Sequence, residues 1–172
     1  MAITRSRRPI GTRRLAATAR RLLDASTLCA VATAGQDGHA HINTAYFAWS
    51  AEFELVWLSE PQARHSRNIR ANAATAVAVY DSSQTWGEPD RGIQLFGRAN
   101  EATEPAAESV YRGRFPDFAA RDFDGLRFYI FQPRRLKLFD ERQLGAGTFV
   151  TARLARGRLV WERTEIYTNT RS

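Results

Sequence analysis

Residues 55–68 read LVWLSEPQARHSRN, and the fold turns on how this stretch is parsed. An apolar, strand-forming run stops at Leu58. Ser59 then offers a hydroxyl, and Glu60 and Pro61 interrupt the chain. Arg64, His65 and Arg67 arrive within four residues, at the start of a segment suited to a short helix over 64–72. The stretch therefore joins a buried strand to a helix. A helix start presents unpaired N–H groups and the positive end of the dipole, which suit an anion. Arginine adds a rigid fork of donors matched to phosphate oxygens. Exposed cations at such a start are unfavourable by roughly 0.3–1 kcal/mol each, and a bound phosphate would remove that cost. The competing reading is a solvated first turn, with Ser59 merely ending a strand.

Upstream, residues 12–24 predict a helix that Thr12 can cap. Leu15, Ala19, Leu22 and Leu23 recur there at helical spacing. TLCAVATA (27–34), the turn GQDG and HAHINTAYFAW (39–49) predict a hairpin. SAEF turns the chain into a third strand, 54–59. Downstream, TAVAVYD (75–81) predicts a strand buried on both faces. SSQTWGEPDRG (82–92) reads as a loop and IQLFGRANEA (93–102) as a strand, with Gly97 marking a bulge or a close backbone approach. Pro105–Arg114 suits a helix, and FPDFAARDFDG (115–125) is irregular. Strand patterns follow at 126–133 and 135–140. QLGAGTF (143–149) reads as a flexible connector, and 150–163 as a hairpin turning at Arg156–Gly157. Many short strands with a few inserted helices predict a mainly β fold, an antiparallel β-barrel.

The 172 residues suit one domain. We expect a basic, flexible arm over 1–11, a barrel domain over 12–165 and a polar tail over 166–172. The net charge of +7 resides in the first of these regions and the helix after it. Seven arginines, from Arg5 to Arg21, precede the first acid, Asp24, and 18 basic residues then face 18 acidic ones. A basic arm could touch nucleic acid or an anionic membrane, but a neutral body argues against both as the main role. No apolar stretch is long enough to span a bilayer. Cys29, the one cysteine, excludes an internal disulfide and a thiolate metal set, which fits a reducing cytoplasm. It lies in an apolar run and reads as a core residue. His39 and His41 share one strand face and read as solvent-facing, with no third ligand near in sequence; no metal site is expected.

The order of these stretches resembles the pyridoxamine-phosphate-oxidase-like family of FMN-binding split barrels. The likeness rests on LCAVATAGQDGHAHINTAYFAW, LVWLSEPQARHSRNIRANAATAVAVYD and RGIQLFGRANEA, and covers about residues 15–140. It implies an antiparallel split β-barrel, a homodimer, and FMN at the subunit interface. By position it implies that Asn43, Thr44, Ala45 and Tyr46 run beside the flavin ring and ribityl chain. Leu58 and Ser59 match the pair where a hydroxyl meets the phosphate, and Arg64 matches a phosphate-binding arginine. His65 stands where the family often has lysine, so its charge there depends on pH. Gln94 resembles a glutamine that reaches the flavin from the partner chain, and Trp86 in the preceding loop could cover the ring.

The chain also departs from that family. Its oxidases carry an arginine–histidine pair near the C-terminus that grips the substrate. Here LFDERQLGAGTF offers Arg142 and no histidine. Tyr111 and Arg114 loosely echo a tyrosine–arginine pair for the substrate phosphate. No acid–base constellation is evident in the sequence, which suits chemistry led by a cofactor. The expected activity is flavin-mediated hydride transfer to or from a small molecule. The alternatives are a reductase using a deazaflavin coenzyme and a non-catalytic binder of flavin or haem.

Overall fold

Alternating hydrophobicity resolves into strands and helices in a computed structural model, which describes residues 2–102, 105–117 and 125–168. Their order is β1 (Ala2–Ser6), α1 (Thr12–Asp24), β2 (Leu28–Ala34), β3 (Ala40–Trp49), β4 (Leu55–Ser59), α2 (Arg64–Ala71), β5 (Ala74–Tyr80), β6 (Arg91–Ala102), α3 (Pro105–Arg114), β7 (Arg127–Asp140), α4 (Glu141–Leu144), β8 (Thr148–Ala155) and β9 (Arg158–Thr168). Backbone hydrogen bonds order the strands β1-β9-β8-β7-β4-β3-β2-β5-β6, and β6 also pairs with β7. That last pairing closes β7-β4-β3-β2-β5-β6 into a ring of six strands. The fold is therefore mainly β, a split β-barrel with added helices. Pairs β2–β3, β3–β4 and β4–β7 are antiparallel, as are β7–β8, β8–β9 and β1–β9.

The chain divides into two compact units. One comprises Thr27–Val77 and Phe96–Pro133. Its interior is made by alternate residues of paired strands: Cys29 and Val31 on β2, Phe47 on β3, Leu55 and Trp57 on β4, and Tyr129 and Phe131 on β7, all buried. Trp57 and Tyr129 face each other in the β4–β7 register and stack with ring centroids 6.1 Å apart. Burying each large apolar side chain stabilises the fold by about 1.5–3 kcal/mol. Gly97 supplies the close approach expected of it. A β-carbon there would strike the Gln132 carbonyl oxygen and lie 2.8 Å from Pro133 Cα. Outside the ring, α3 lays Ala107 and Tyr111 on Ala48 and Val56. Helix α2 packs against β2 and β3.

The other unit comprises Met1–Ser26, Ala78–Leu95 and Arg134–Ser172. Here α1 buries Leu15, Thr18, Ala19, Leu22 and Leu23, and packs on β9. The β8–β9 hairpin turns at Arg156 and Gly157, with φ of 51° and 71°. Two successive positive φ values match the hairpin turn whose twist suits the flanking strands. Asp140 is buried, bonds Arg21 at 2.7 Å and caps α4 by accepting from the Gln143 amide at 3.1 Å.

Several expectations change. Residues 2–6 of the presumed flexible arm are strand β1, paired from Ala2↔Thr168 to Ser6↔Thr164. The same pairing takes Ile166–Thr168 of the presumed polar tail into β9. Backbone ladder bonds do not depend on side-chain polarity, so charge composition did not reveal them. Gly11, not Thr12, is the N-cap of α1, and it makes no side-chain cap bond. Strand β5 is not buried on both faces: Thr75, Val77 and Val79 are buried, while Ala76 and Ala78 between them are half-buried. Strand β7 runs unbroken through Pro133 and Arg134. The presumed connector begins in the single turn of α4 and ends in β8. Of FPDFAARDFDG, residues 118–124 lie outside the described residues.

Candidate functional site

The junction quoted at the outset is a strand end followed by a helix start. Ser59 is the last residue of β4, and Arg64 and His65 open α2. The α2 start has Ala63 at its N-cap, no side-chain cap bond and no acid in its first turn. The Arg67 amide is the first to find a helical acceptor, Ala63 O at 3.0 Å. Three preceding residues, including Arg64 and His65, thus bring amides with no intrahelical acceptor.

Side chains converge at this corner. Ser59 Oγ and His65 Nε2 are 2.5 Å apart. The His65 ring lies parallel to that of His41 on β3, with centroids 6.3 Å apart and planes within 2°. Burial holds the His65 pKa below the usual imidazole value, and the neighbouring His41 adds to the shift. Asn68, one turn further on, donates from Nδ2 to Thr33 Oγ1 at 3.1 Å and ties α2 to β2. Arg64 is exposed and lines a shallow cleft of about 350 Å3 with Gly35, Asp37, Arg67 and Asn68. Asp37 bonds the His39 ring at 3.0 Å, and its pKa is lowered first by the His39 amide and ring, and least by Arg64.

The other sequence-predicted residues separate by strand alternation. Asn43 and Ala45 are half-buried, opposite Val31 and Cys29 of β2. Thr44 and Tyr46 point the other way and are exposed, Tyr46 at 59%. Leu58 packs with the α3 cluster of Ala48, Val56 and Tyr111. Tyr46 meets Phe115 edge-on at 6.2 Å. Arg114 Cζ lies 4.6 Å from the centre of the Phe47 ring. Cys29 is in the core as expected, and burial pushes its thiol up to about 12. In the other unit, Gln94 is an exposed residue of β6 and Trp86 is 98% exposed. Its loop is braced: Asp81 accepts from Ser83 and from Arg91, and Gln84 Oε1 accepts from the Arg91 amide at 2.6 Å.

His41 was missed in the sequence. It is half-buried against His65 and is not a solvent-facing residue. Its two-residue spacing from His39 gave the shared face but not what covers that face. The register does: His41 pairs with Thr33, which α2 grips through Asn68. Among the described residues, no three His, Cys, Asp or Glu side chains gather where a metal could sit. No described helix is long and apolar enough to cross a membrane.

Known proteins add the following. No curated protein matches the chain. A solved structure from Clostridium acetobutylicum, a protein related to general stress protein 26 of B. subtilis (pyridoxinephosphate oxidase family), superposes with a TM-score of 0.63 at 13% identity. The match covers 84% of this chain and 97% of that one. A heme binding protein from Mycobacterium smegmatis gives 0.61 at 16% identity, over 72% of this chain but only 52% of that longer one. An F420 reductase gives 0.53 at 23% identity, over 68% and 94%. At these identities the likeness establishes the fold. The family model described as pyridoxamine 5'-phosphate oxidase matches residues 15–139, most of the chain, and the protein belongs to that family.

Proposed function

We propose that the chain is an FMN-binding oxidoreductase that holds the cofactor's phosphate at the β4–α2 junction. The observation that carries this reading is the meeting of Ser59 and His65, 2.5 Å apart, beside an uncapped helix start with no acid in its first turn. The donor set fits a phosphate dianion. It offers a hydroxyl, an imidazole able to take a proton, unpaired amides and the exposed fork of Arg64. Bound FMN would supply the capacity to accept and release hydride. The chain's own part is to grip the phosphate, to lay Asn43–Tyr46 along the remainder of the cofactor and to exclude water from it.

The reading includes a homodimer. Leu28, Ile42 and Tyr46 are 44%, 66% and 59% exposed on neighbouring positions of β2 and β3. Ala32 stands opposite Ile42, and Ala30 and Thr44 form the rung between the two pairs, a largely apolar face that a second copy could cover. It also includes a cytoplasmic location and a small-molecule substrate. Oxidation of pyridoxamine phosphate is not part of it, because Arg142 has no histidine beside it in the sequence.

Two further readings draw on the neighbours: a reductase using a deazaflavin coenzyme, and a haem binder. The test is the absorption spectrum of the protein as purified, followed by titration of cofactor-free protein with FMN, riboflavin, a deazaflavin coenzyme and haem. FMN bound at least tenfold more tightly than riboflavin supports the proposal. Uptake of haem or deazaflavin with no preference for FMN overturns it.

A further inference from the structure

We propose that Ser59, His65 and His41 form a proton-coupled latch, so that the junction takes up a proton as it takes up a phosphate. The inference rests on the reading of this corner as the phosphate site, and concerns how that site is regulated. With Nε2 unprotonated, the Ser59 hydroxyl donates to the His65 ring across 2.5 Å and is turned away from any anion. When His65 takes a proton from solvent, Nε2–H becomes the donor and Ser59 Oγ the acceptor. The Ser59 proton is then free to turn towards a phosphate oxygen. One proton thereby creates both a cation and an outward hydroxyl donor.

His41 sets the threshold. Its ring faces that of His65 in parallel at 6.3 Å, so charge on one opposes charge on the other until an anion compensates. The other ionisable groups on the elements packed around His65 are few. They are Cys29 on β2, Asp37 and His39 at the β2–β3 turn, Tyr46 at the far end of β3, Glu60 after β4, and Arg64, Arg67 and Arg70 on α2 itself. Among the neighbours His41 is the one whose charge, when present, acts on His65, in the same direction as burial. Asp37 is already bonded to His39. The empty site therefore favours neutral His65, and a dianion raises its proton affinity. The sign follows: affinity for phosphate grows as pH falls through the window between the free and the bound pKa, and levels off below it.

The full chain is titrated with FMN and with riboflavin by calorimetry, between about pH 6.5 and 8.5, in two buffers of different ionisation enthalpy. The lower bound avoids protonation of the phosphate itself near about pH 6. FMN affinity should fall by up to about tenfold per pH unit as pH rises, with proton uptake on binding, while riboflavin affinity stays flat. His65→Lys keeps a cation and should bind FMN tightly without the slope. His65→Gln should bind weakly at every pH. His41→Gln removes the opposing charge and should move the slope to higher pH. A flat profile with no proton uptake, in a protein that still prefers FMN to riboflavin, overturns the latch and leaves the phosphate site standing. No preference for FMN at any pH overturns both.

Discussion

Gly97 of β6 passes against Gln132 of β7 so closely that a β-carbon would collide with the Gln132 carbonyl, with Pro133 Cα only 2.8 Å away. Both obstacles are backbone, and neither can turn aside as a side chain would. Gly97→Ala should therefore destabilise the protein by about 3 kcal/mol, at the upper end of ordinary overpacking. Gly113 on α3 is the control. Nothing lies within 4 Å of a β-carbon there, and Gly113→Ala should stabilise by up to about 1 kcal/mol through helix propensity. Urea unfolding of the two variants checks the contrast.

Arg64→Ala should weaken FMN binding by about 1.5–3 kcal/mol, the range for hydrogen bonds to a charged group, and leave riboflavin binding unchanged. Asp37→Asn should act in the opposite sense, since Asp37 lines the same cleft as Arg64. Fluorescence titration with both ligands separates a phosphate contact from a general loss of folding.

The Cys29 thiol, raised to about 12 by burial, should resist alkylation and disulfide exchange in the folded protein at pH 8 and react only on unfolding. The folded pKa exceeds the unfolded value near about 8.5. The unfolded chain alone therefore ionises as pH rises past that value, and stability should decline progressively on the alkaline side. Labelling rates with and without denaturant measure the protection directly.

Asp81 has its pKa lowered to about 2, by its bonds from Ser83 first and from Arg91 after them. Its bracing is thus complete above the unfolded value of about 3.9 and is lost as pH falls towards about 2. Asp81→Asn should mimic that loss at neutral pH. Amide exchange over residues 82–91 should quicken, and the emission of Trp86 should become more mobile by anisotropy. Unchanged exchange would mean that Gln84 holds the loop without Asp81.

Much of this architecture is legible in the residues themselves. Helix α1 has the predicted bounds, because Leu15, Ala19, Leu22 and Leu23 mark one face and a single packing partner suffices. The β2–β3 hairpin and the Arg156–Gly157 turn were equally readable, since local patterning and turn chemistry fix both. Strand β1 was not, because its partner in β9 lies more than 150 residues away in the chain and no side-chain pattern advertises it. The site divides in the same way. Ser59, Arg64 and His65 are neighbours in sequence and could be grouped by inspection. His41 joins them only through strand register, which a run of residues does not encode by itself.

The pairing of Ala2 with Thr168 sets the first and last described residues opposite each other on one rung of the ladder. A short bridging peptide between them could yield a circularly permuted polypeptide, reopened at the Arg156–Gly157 tip. An affinity handle attached at Ala2 or at Thr168 would emerge beside the other residue, at a sheet margin remote in sequence from the β4–α2 corner.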